Sequence, residues 1–293
     1  MKMNPPVLVF GEALFDCFPS GEQVLGGAPF NVAWHLQALG NQPCFITRIG
    51  DDELGRKILS AMRDWGMDTQ QVQIDPAHPT GQVEVSIIEN EPHYTITPHC
   101  AYDYISAAIM ETLPNSDILY HGTLGLRNDI SRDCLAHIAQ QPDLSVFLDV
   151  NLRSPWWQRQ EVFVWLHQAR WVKVNENELL QLGFDSANIC ESMHKLLTQF
   201  QLEQLIVTQG AKGAIVLTAD GSFFQQTAAP VNRIIDTVGA GDGFSALYIH
   251  GLRAGWPVDK VLTSAQFFAA KIIGLRGAIT TEPSFYQEFR LPT

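Results

Sequence analysis

An acid stands among three glycines in the segment Asp236–Phe244 (DTVGAGDGF), directly before the amphipathic stretch SALYIHGL. Glycine lets a ligand approach main-chain N–H groups closely, and the first N–H groups of a helix lack internal partners and lie at the positive end of its dipole. Gly239, Gly241 and Gly243 therefore predict an anion site at a helix start. Asp242 suits a base that removes the proton of a hydroxyl attacking a phosphoryl group. The alternative is that Asp242 caps the helix and the glycines form a tight turn.

A second glycine-rich junction occurs at Gly26–Asn31 (GGAPFN), which leads into the helix-like stretch VAWHLQALG. The paired glycines Gly26 and Gly27 permit a close approach of the backbone. The Asn31 amide can act as both donor and acceptor, and we expect it to reach outward to a polyol hydroxyl. A plain loop-to-helix junction is the alternative.

Two polar segments follow predicted strands. Asp16 ends the segment Gly11–Asp16 (GEALFD), and ligands of open α/β sheets bind beyond the carboxyl ends of the strands. Asp16 is therefore well placed to accept hydrogen bonds from two sugar hydroxyls. The alternative is a solvated loop acid. In Asp149–Arg153 (DVNLR), alternation places Asn151 and Arg153 on one face of an extended segment. Arg153 can meet a phosphate through two parallel hydrogen bonds.

Two further segments suit a metal and a nucleotide. In Lys173–Glu178 (KVNENE), Asn175 and Glu178 are three apart and share one side of a helix that starts there. Such oxygen ligands suit Mg²⁺ held largely through waters, although a helix cap with an acidic first turn explains them equally well. The glycine-rich turn Thr208–Gly213 (TQGAKG) can pass close to a nucleotide, and a β-turn between adjacent strands is the alternative.

Two familiar phosphate patterns are missing from the sequence. GxxxxGK followed by Ser or Thr does not occur, which excludes a P-loop protein. The GxGxxG pattern fails because Phe244 stands where the last glycine should be, so a nicotinamide-binding fingerprint is not supported.

Composition limits the classes of partner. The 293 residues include 19 Lys+Arg and 31 Asp+Glu, a net charge of −12, which argues against a general binder of nucleic acid. No run of about 18 apolar residues is present, so no membrane span is expected. The five cysteines are odd in number and show no CxxC spacing, which favours free thiols and a reducing cytoplasm.

The elements that must position these residues alternate between strands and helices. Near-continuous apolar runs are typical of strands covered on both faces, and alternation with amphipathic helices indicates a mostly parallel sheet between helices. The predicted strands are Val7–Phe10, Cys44–Ile49, Asp117–Tyr120, Val146–Val150, Trp171–Val174, Leu205–Thr208 and Ala214–Leu217. The predicted helices are Asn31–Leu39, Glu53–Trp65, Ser131–Gln140, Glu191–Phe200, Phe244–Arg253 and Val258–Leu275.

The segment Thr80–Thr97 breaks this pattern, because its apolar residues alternate with polar ones on either side of a turn predicted at Glu89–Pro92. It indicates a hairpin with one apolar face, which could cover a cleft or pair with a second subunit in a homodimer. After Gln226 the chain is predicted to be helical to its end. One domain over residues 1–293, with a lid mainly from about 12–26 and 80–100, is the simplest organisation.

These motifs, in this order, resemble the ribokinase-like sugar kinases, often called the PfkB family. GGAPFNVAWHLQALG with RIGDDELG at Arg48–Gly55 is similar to the family's N-terminal motif, and DTVGAGDGF to its more specific C-terminal motif. The resemblance covers essentially the whole chain. It implies a three-layer α/β/α sandwich with a mostly parallel central sheet, a small β lid, and transfer of the ATP γ-phosphate to a primary alcohol.

The resemblance also implies roles for individual residues. Asp242 matches the catalytic base, and the N–H groups of Gly239, Ala240 and Gly241 match the anion hole. The candidate substrate-binding residues are Asp16, Gly26, Gly27, Asn31 and Arg153. The candidate nucleotide-binding residues are Asn175, Thr208, Gly210, Lys212, Gly213 and Gly241. Glu178 matches a position near Mg²⁺, which it would hold through water, and Asp236 a potassium-site position of some members.

Within the family, DVNLRSPWW and GEALFD look most like fructokinases and 2-keto-3-deoxygluconate kinases, and fructose is the first choice. GGAPFN rather than GGKGAN weighs against ribokinase. A nucleoside or ribose kinase of the same fold remains an alternative, as does a non-catalytic sugar-sensing regulatory protein. The intact GAGD argues against the last of these, because a mere binder needs no base. The N-terminal motifs lack the extra cations that a phosphorylated substrate would require.

Overall fold

A computed structural model describes residues 5–88, 91–231 and 233–290 of the protein. Within these residues the strands are β1 (Leu8–Phe10), β2 (Leu14–Cys17), β3 (Gln23–Gly26), β4 (Cys44–Gly50), β5 (Val72–Asp75), β6 (Gly81–Ile88), β7 (Glu91–Ile96), β8 (Ile118–His121), β9 (Ser145–Asp149), β10 (Ala169–Asn175), β11 (Gln204–Thr208), β12 (Ala214–Thr218) and β13 (Phe223–Gln226). The α-helices are α1 (Ala28–Ala38), α2 (Glu53–Asp64), α3 (Asp129–Ile138), α4 (Arg159–Leu166), α5 (Glu176–Gln181), α6 (Ile189–Phe200), α7 (Ala240–Arg253) and α8 (Val258–Ile273).

The central sheet has nine strands in the order β13-β12-β11-β10-β9-β8-β1-β4-β5. Its described pairs are parallel except where β12 runs against β11 and β13. Successive residues of a strand point to opposite faces, so in β1 Val9 packs into one hydrophobic cluster and Leu8 and Phe10 into the other. Because both faces are covered, the strands need apolar side chains at successive positions.

Helices cover both faces of this sheet. Apolar side chains of α1, α2, α7 and α8 belong to one cluster, and those of α3, α4, α5 and α6 belong to the other. In α2 the buried positions Leu54, Ile58 and Met62 recur at helical spacing, as an amphipathic helix on a sheet requires. The predicted three-layer α/β/α sandwich with a mostly parallel sheet is confirmed.

A second, four-stranded sheet has the order β3-β2-β6-β7 and comes from residues 14–26 and 81–96. Asp16 of β2 pairs with Val24 of β3 and with Val83 of β6, so these three side chains share one face. This sheet coincides with the segments predicted to form the lid. It carries Asp16 on a strand, whereas the sequence placed this acid in a loop.

The predicted strands and helices are all present, with ends that coincide or differ by up to four residues. Sequence patterns missed β2, β3, β5, β13 and α4, because these are short elements of four to eight residues or lie at sheet edges, where apolar periodicity is weak.

The prediction of continuous helix after Gln226 is wrong in two places. The described residues between β13 and α7 form no helix, and α7 begins at Ala240, four residues before the predicted start. The second break lies beyond α8, where a 3-10 helix occurs at Pro283–Phe289. Between β13 and α7 the chain is held by tertiary contacts instead of helical hydrogen bonds. One of them is the bond from the Ile235 N–H to the Ile273 carbonyl (3.0 Å).

The hairpin prediction agrees with β6 and β7, but its turn is shorter than expected. Glu91 and Pro92 already belong to β7, and residues 89 and 90 of the predicted turn lie outside the described residues. Elsewhere, all five cysteines are free thiols, as predicted. Within the described ranges no helix combines the length and apolar character needed to cross a membrane.

Candidate active site

The glycine turn of the C-terminal motif forms the start of α7. Gly239 takes the cap position with a φ of 80°, and the first bond along the helix runs from the Gly243 N–H to the Gly239 carbonyl (2.9 Å). The N–H groups of Gly241 and Asp242 precede that bond, and the Ala240 N–H makes only a long bond to the Thr237 carbonyl (3.4 Å), so the helix start leaves donors available to an anion. The capping alternative for Asp242 is wrong, because Gly239 is the cap residue and no side chain caps this helix.

Replacing Gly239 by Ala should lower the free energy of unfolding by about 2–4 kcal/mol, because the new methyl group would overlap Ala278 and because a φ of 80° strains any residue with a Cβ. Urea denaturation measures the loss. The matched control is Gly221→Ala, where φ is 83° and nothing lies within 4 Å of the new Cβ, so that only the strain of about 1 kcal/mol is expected. Equal losses in the two variants would show that contact with Ala278 does not constrain the turn.

Asn31 and Asp242, which are 211 residues apart, meet where α1 packs on α7. Asn31 Nδ2 donates to Asp242 Oδ2 at 2.8 Å. Asn31 is only 3% exposed, so the outward orientation expected from the sequence is wrong: the amide turns inward and holds the acid. Its Oδ1 is buried and has no hydrogen-bond partner among the described residues.

Burial raises the pKa of Asp242 to about 6. The hydrogen bond from Asn31 lowers this pKa, the Asp149 carboxylate raises it, and the charges of Lys173 and Arg153 lower it. The residue as a whole is partly exposed at the helix start, but its carboxyl group lies in dense surroundings, which is why burial dominates. A carboxyl that changes charge near pH 6 can accept a proton at neutral pH and is better matched to a hydroxyl than an ordinary aspartate.

The other glycine junction brings α1 close to the strand region that carries Glu12. Gly27 caps α1 with a φ of 105°, and a Cβ there would lie 2.6 Å from the Glu12 carbonyl oxygen. Gly26 ends β3 and is buried, and a Cβ on it would lie 3.8 Å from Asp16 Oδ2. The junction is therefore a close approach of two segments, which a plain loop-to-helix junction does not require.

Asp16, Arg153 and Asp236 lie within electrostatic reach of one another. Burial raises the pKa of Asp16 to about 6, the Asp236 carboxylate raises it further, and Arg153 lowers it. Asp16 is half-buried, so the alternative of a solvated loop acid is wrong. Asp236 also accepts bonds from the N–H groups of Val238 (3.0 Å) and Gly277 (3.3 Å), which tie the glycine turn to the chain beyond α8.

Arg153 reaches the site by a different path from the one predicted. Asn151 has a φ of 40°, in the left-handed region, so the segment bends there and is not extended. The alternation argument for a shared face of Asn151 and Arg153 therefore fails. Arg153 nevertheless influences the pKa values of Glu12, Asp16 and Asp242, which places its charge among these three acids.

A buried polar network beneath the glycine turn was missed by the sequence analysis. Asp149 Oδ2 accepts hydrogen bonds from Lys173 Nζ (2.7 Å), Ser245 Oγ (2.8 Å) and the Tyr120 hydroxyl (3.3 Å). Lys173 Nζ would lie 3.5 Å from a Cβ on Gly241, so its charge is beside the helix start. The available signal was a charged residue inside each of two apolar strands, because such residues are buried only when paired.

Asn175 and Glu178 form a reciprocal cap at the start of α5. Asn175 Oδ1 accepts the Glu178 N–H (2.9 Å), while the Glu178 carboxylate accepts the N–H groups of Asn175 (2.8 Å) and Leu152 (2.9 Å). Burial raises the pKa of Glu178. Among the residues that the structure describes, no three or more histidine, cysteine or acidic side chains converge on a metal site. Carboxylate oxygens keep a second lone pair, so the residues fit a cation bound through water.

The glycine-rich turn between β11 and β12 lies next to this cap, because Thr208 pairs with Asn175 in the sheet register. Gly210 and Gly213 have φ values of 57° and 105°, and Lys212 Nζ contacts Glu176 at 3.4 Å. The turn connects antiparallel strands, as the β-turn alternative requires, and it also brings its backbone to the edge where α5 begins. Both interpretations of this segment are compatible with its geometry.

A parallel α/β sandwich with an acid at a glycine-rich helix start, facing a small β-sheet, defines a phosphotransferase of the ribokinase-like fold with an alcohol as acceptor. The chain belongs to the pfkB family of carbohydrate kinases, whose sequence profile matches residues 17–284.

Relatives and solved structures agree with this assignment. A fructokinase of Salmonella typhimurium is 30% identical, over 96% of this chain and 97% of its own length. The structure of aminoimidazole riboside kinase from Salmonella enterica, complexed with aminoimidazole riboside and an ATP analog, has a TM-score of 0.83 at 27% identity and covers 97% of this chain and 99% of that one. A fructokinase double mutant from Vibrio cholerae O395, bound to fructose, ADP and potassium ion, has a TM-score of 0.81 at 26% identity, with coverages of 97% and 98%.

Proposed function

We propose that this carbohydrate kinase transfers the γ-phosphate of ATP to a primary hydroxyl of fructose. The observation that carries the proposal is the Asp242 carboxyl at the start of α7, held by Asn31 and surrounded by the charges of Arg153 and Lys173. An acid beside an anion site is useful when a hydroxyl and a phosphoryl group must meet there. The similarity to proteins named fructokinase supports fructose as the acceptor.

The reaction follows from these positions. Asp242 accepts the proton of the sugar hydroxyl while the hydroxyl oxygen bonds to the γ-phosphorus, the bond from that phosphorus to the bridging oxygen breaks, and ADP leaves. The N–H groups of Gly239, Ala240 and Gly241 stabilise the charge on the moving phosphoryl group. Mg²⁺ bound near Glu178 would neutralise part of the negative charge of the phosphates.

The remaining roles are divided between two sides of the site. Side chains near Asp242 bind the sugar, while the edge formed by α5 and the β11–β12 turn binds ATP. The proposed sugar-binding residues are Asp16, Gly26, Gly27, Asn31 and Arg153. The proposed nucleotide-binding residues are Asn175, Thr208, Gly210, Lys212, Gly213 and Gly241, with Glu178 holding Mg²⁺ through water and Asp236 serving a K⁺ site.

The small sheet closes over the sugar and excludes water, which prevents hydrolysis of ATP in place of transfer. The proposal includes a homodimer that forms through this sheet. Fewer apolar side chains of the sheet are exposed to a partner than the sequence predicted. Val83 and Val85 are already buried within the chain, whereas Tyr94 is 55% exposed. Light scattering tests the dimer, and a purely monomeric protein contradicts it.

A substrate panel tests the proposed function. Initial rates with MgATP and fructose, ribose, adenosine, aminoimidazole riboside or 2-keto-3-deoxygluconate should give the highest kcat/KM for fructose, by at least about tenfold, since a site that hydrogen-bonds its substrate rejects analogues that leave its polar groups unpaired. ATP consumption without sugar is the control. A higher kcat/KM for a riboside would favour the second candidate, in keeping with the aminoimidazole riboside kinase structure. No turnover with any sugar would favour a regulatory protein.

A further inference from the structure

Glu12 lies under the site in a position that the proposed mechanism does not use. It follows β1, is only 3% exposed, and its backbone carbonyl touches the start of α1 at Gly27. Its Oε2 atom is buried without a hydrogen-bond partner, and it would lie 3.4 Å from a Cβ on Gly125. This carboxylate oxygen is therefore enclosed by protein atoms.

Other buried carboxylates near the site are supplied with donors. Asp149 accepts three hydrogen bonds, Glu178 accepts two from the backbone, and Asp242 accepts one from Asn31. Among the described residues, Glu12 Oε2 is the one acidic oxygen that is both buried and unpartnered. A buried charge without partners is costly, whereas a buried neutral acid costs much less. The backbone N–H groups of Glu12 and Ala28 stabilise the ionised carboxylate, but burial outweighs them, so the surroundings of Glu12 favour its protonated form.

The charges that face Glu12 come from several elements. Arg153, in the segment after β9, favours ionisation, and Asp242 of α7 opposes it. Tyr102, in the 3-10 helix Ala101–Tyr104, and Tyr120 of β8 are also within electrostatic reach. Arg153 is thus shared among Glu12, Asp16 and Asp242, while Glu12 and Asp242 repel each other when both are charged.

We propose that Glu12 is a positioning acid for the phosphoryl transfer: it keeps its proton while Asp242 is ionised, so that no second negative charge arises beside Asp242 and Arg153 stays free for the reacting groups of the substrates. This inference rests on the proposed role of Asp242 as the base. Ionised Glu12 would compete for Arg153 and would place a second negative charge beside the anion site, where it opposes the polyphosphate of ATP.

The order of the two titrations agrees with this role. Burial raises the pKa of Glu12 to about 7, above the value of about 6 for Asp242. The two acids titrate as a coupled pair, and the first proton leaves the pair chiefly from Asp242. Bound ATP adds negative charge nearby and moves the ionisation of Glu12 to higher pH. The kcat of the kinase should therefore fall at low pH, where Asp242 gains a proton, and at high pH, where Glu12 loses its proton.

The kinetic test compares wild-type protein with Glu12→Gln, which mimics the protonated acid. kcat is measured from pH 5 to 9.5 with saturating MgATP and the sugar of the panel that turns over fastest. In Glu12→Gln the pH at which kcat falls on the alkaline side should rise by at least about one unit. The pH at which kcat falls on the acid side should stay the same. Glu84→Gln, the same change at an exposed position of β6, should keep the wild-type profile. An alkaline fall at the wild-type pH in Glu12→Gln overturns the proposal.

A second measurement does not depend on any sugar. An acid whose pKa is higher in the folded than in the unfolded chain, here about 7 against an ordinary 4.5, binds its proton more tightly when folded. Stability is therefore lost as pH rises between these values and remains lower above them. Glu12→Gln removes this loss, so its Tm should exceed that of wild type by at least about 3 °C at pH 8.5 and differ little at pH 5.

The two measurements separate failure of the inference from failure of the proposed function. If no sugar is phosphorylated, the proposed function fails and the Tm comparison alone decides whether Glu12 is held neutral. If sugar is phosphorylated but the Tm of Glu12→Gln at pH 8.5 equals or falls below that of wild type, Glu12 is a merely structural or ionised residue and the inference fails.

Discussion

Replacing Asp242 by Asn should lower kcat by at least about 100-fold and change the KM for sugar little, because a positioned base contributes that much to the transfer step and only the proton acceptor is lost. The amide keeps the shape of the carboxyl and retains an oxygen that can accept the bond from Asn31 Nδ2. Steady-state rates with varied sugar at saturating MgATP measure both parameters.

The matched control is Asp259→Asn, an acid in the first turn of the neighbouring helix α8 that lies outside the site. It should keep the wild-type kcat. Near-normal turnover in Asp242→Asn would remove Asp242 from the base role. The wild-type rate should also fall below about pH 6, where protonation of Asp242, whose pKa burial raises to about 6, takes away the acceptor.

Replacing Lys173 by Met should lower the free energy of unfolding by about 3–5 kcal/mol, because it leaves the buried Asp149 carboxylate without its cation. Ser245 and Tyr120 would still donate to Asp149, but neither carries the compensating charge. Urea denaturation measures the loss. The double variant Lys173→Met with Asp149→Asn should recover part of it, because no uncompensated charge is then buried.

The control is Lys57→Met, which removes the cation of the exposed pair with Glu53 (2.8 Å) along α2. Solvent screens such a pair, so a much smaller loss than that of Lys173→Met is expected. If Lys173→Met costs no more than this control, the Asp149 network does not depend on its buried ion pair.

Much of the architecture could be predicted from sequence because it follows from local patterns. The apolar run of β4 and the amphipathic repeat of α2 determine burial without reference to distant residues. The glycines of the C-terminal motif also act locally, since Gly239 supplies the left-handed cap of α7. Short edge strands such as β5 and β13 were missed, because four residues carry too little periodicity to be recognised.

The layered fold follows from the alternation of strand and helix patterns, and the family and the phosphotransferase class follow from the resemblance that the motifs carry. The amino-acid sequence determines both by itself. Tertiary structure alone decided that Asn31 turns inward to Asp242, that Lys173 joins Asp149 beneath the helix start, and that Glu12 is enclosed without a partner. Periodicity reports which face of an element is buried. Which polar groups form hydrogen bonds or ion pairs depends on atoms from segments far apart in the chain. These atoms come within hydrogen-bond distance only when helices and strands pack.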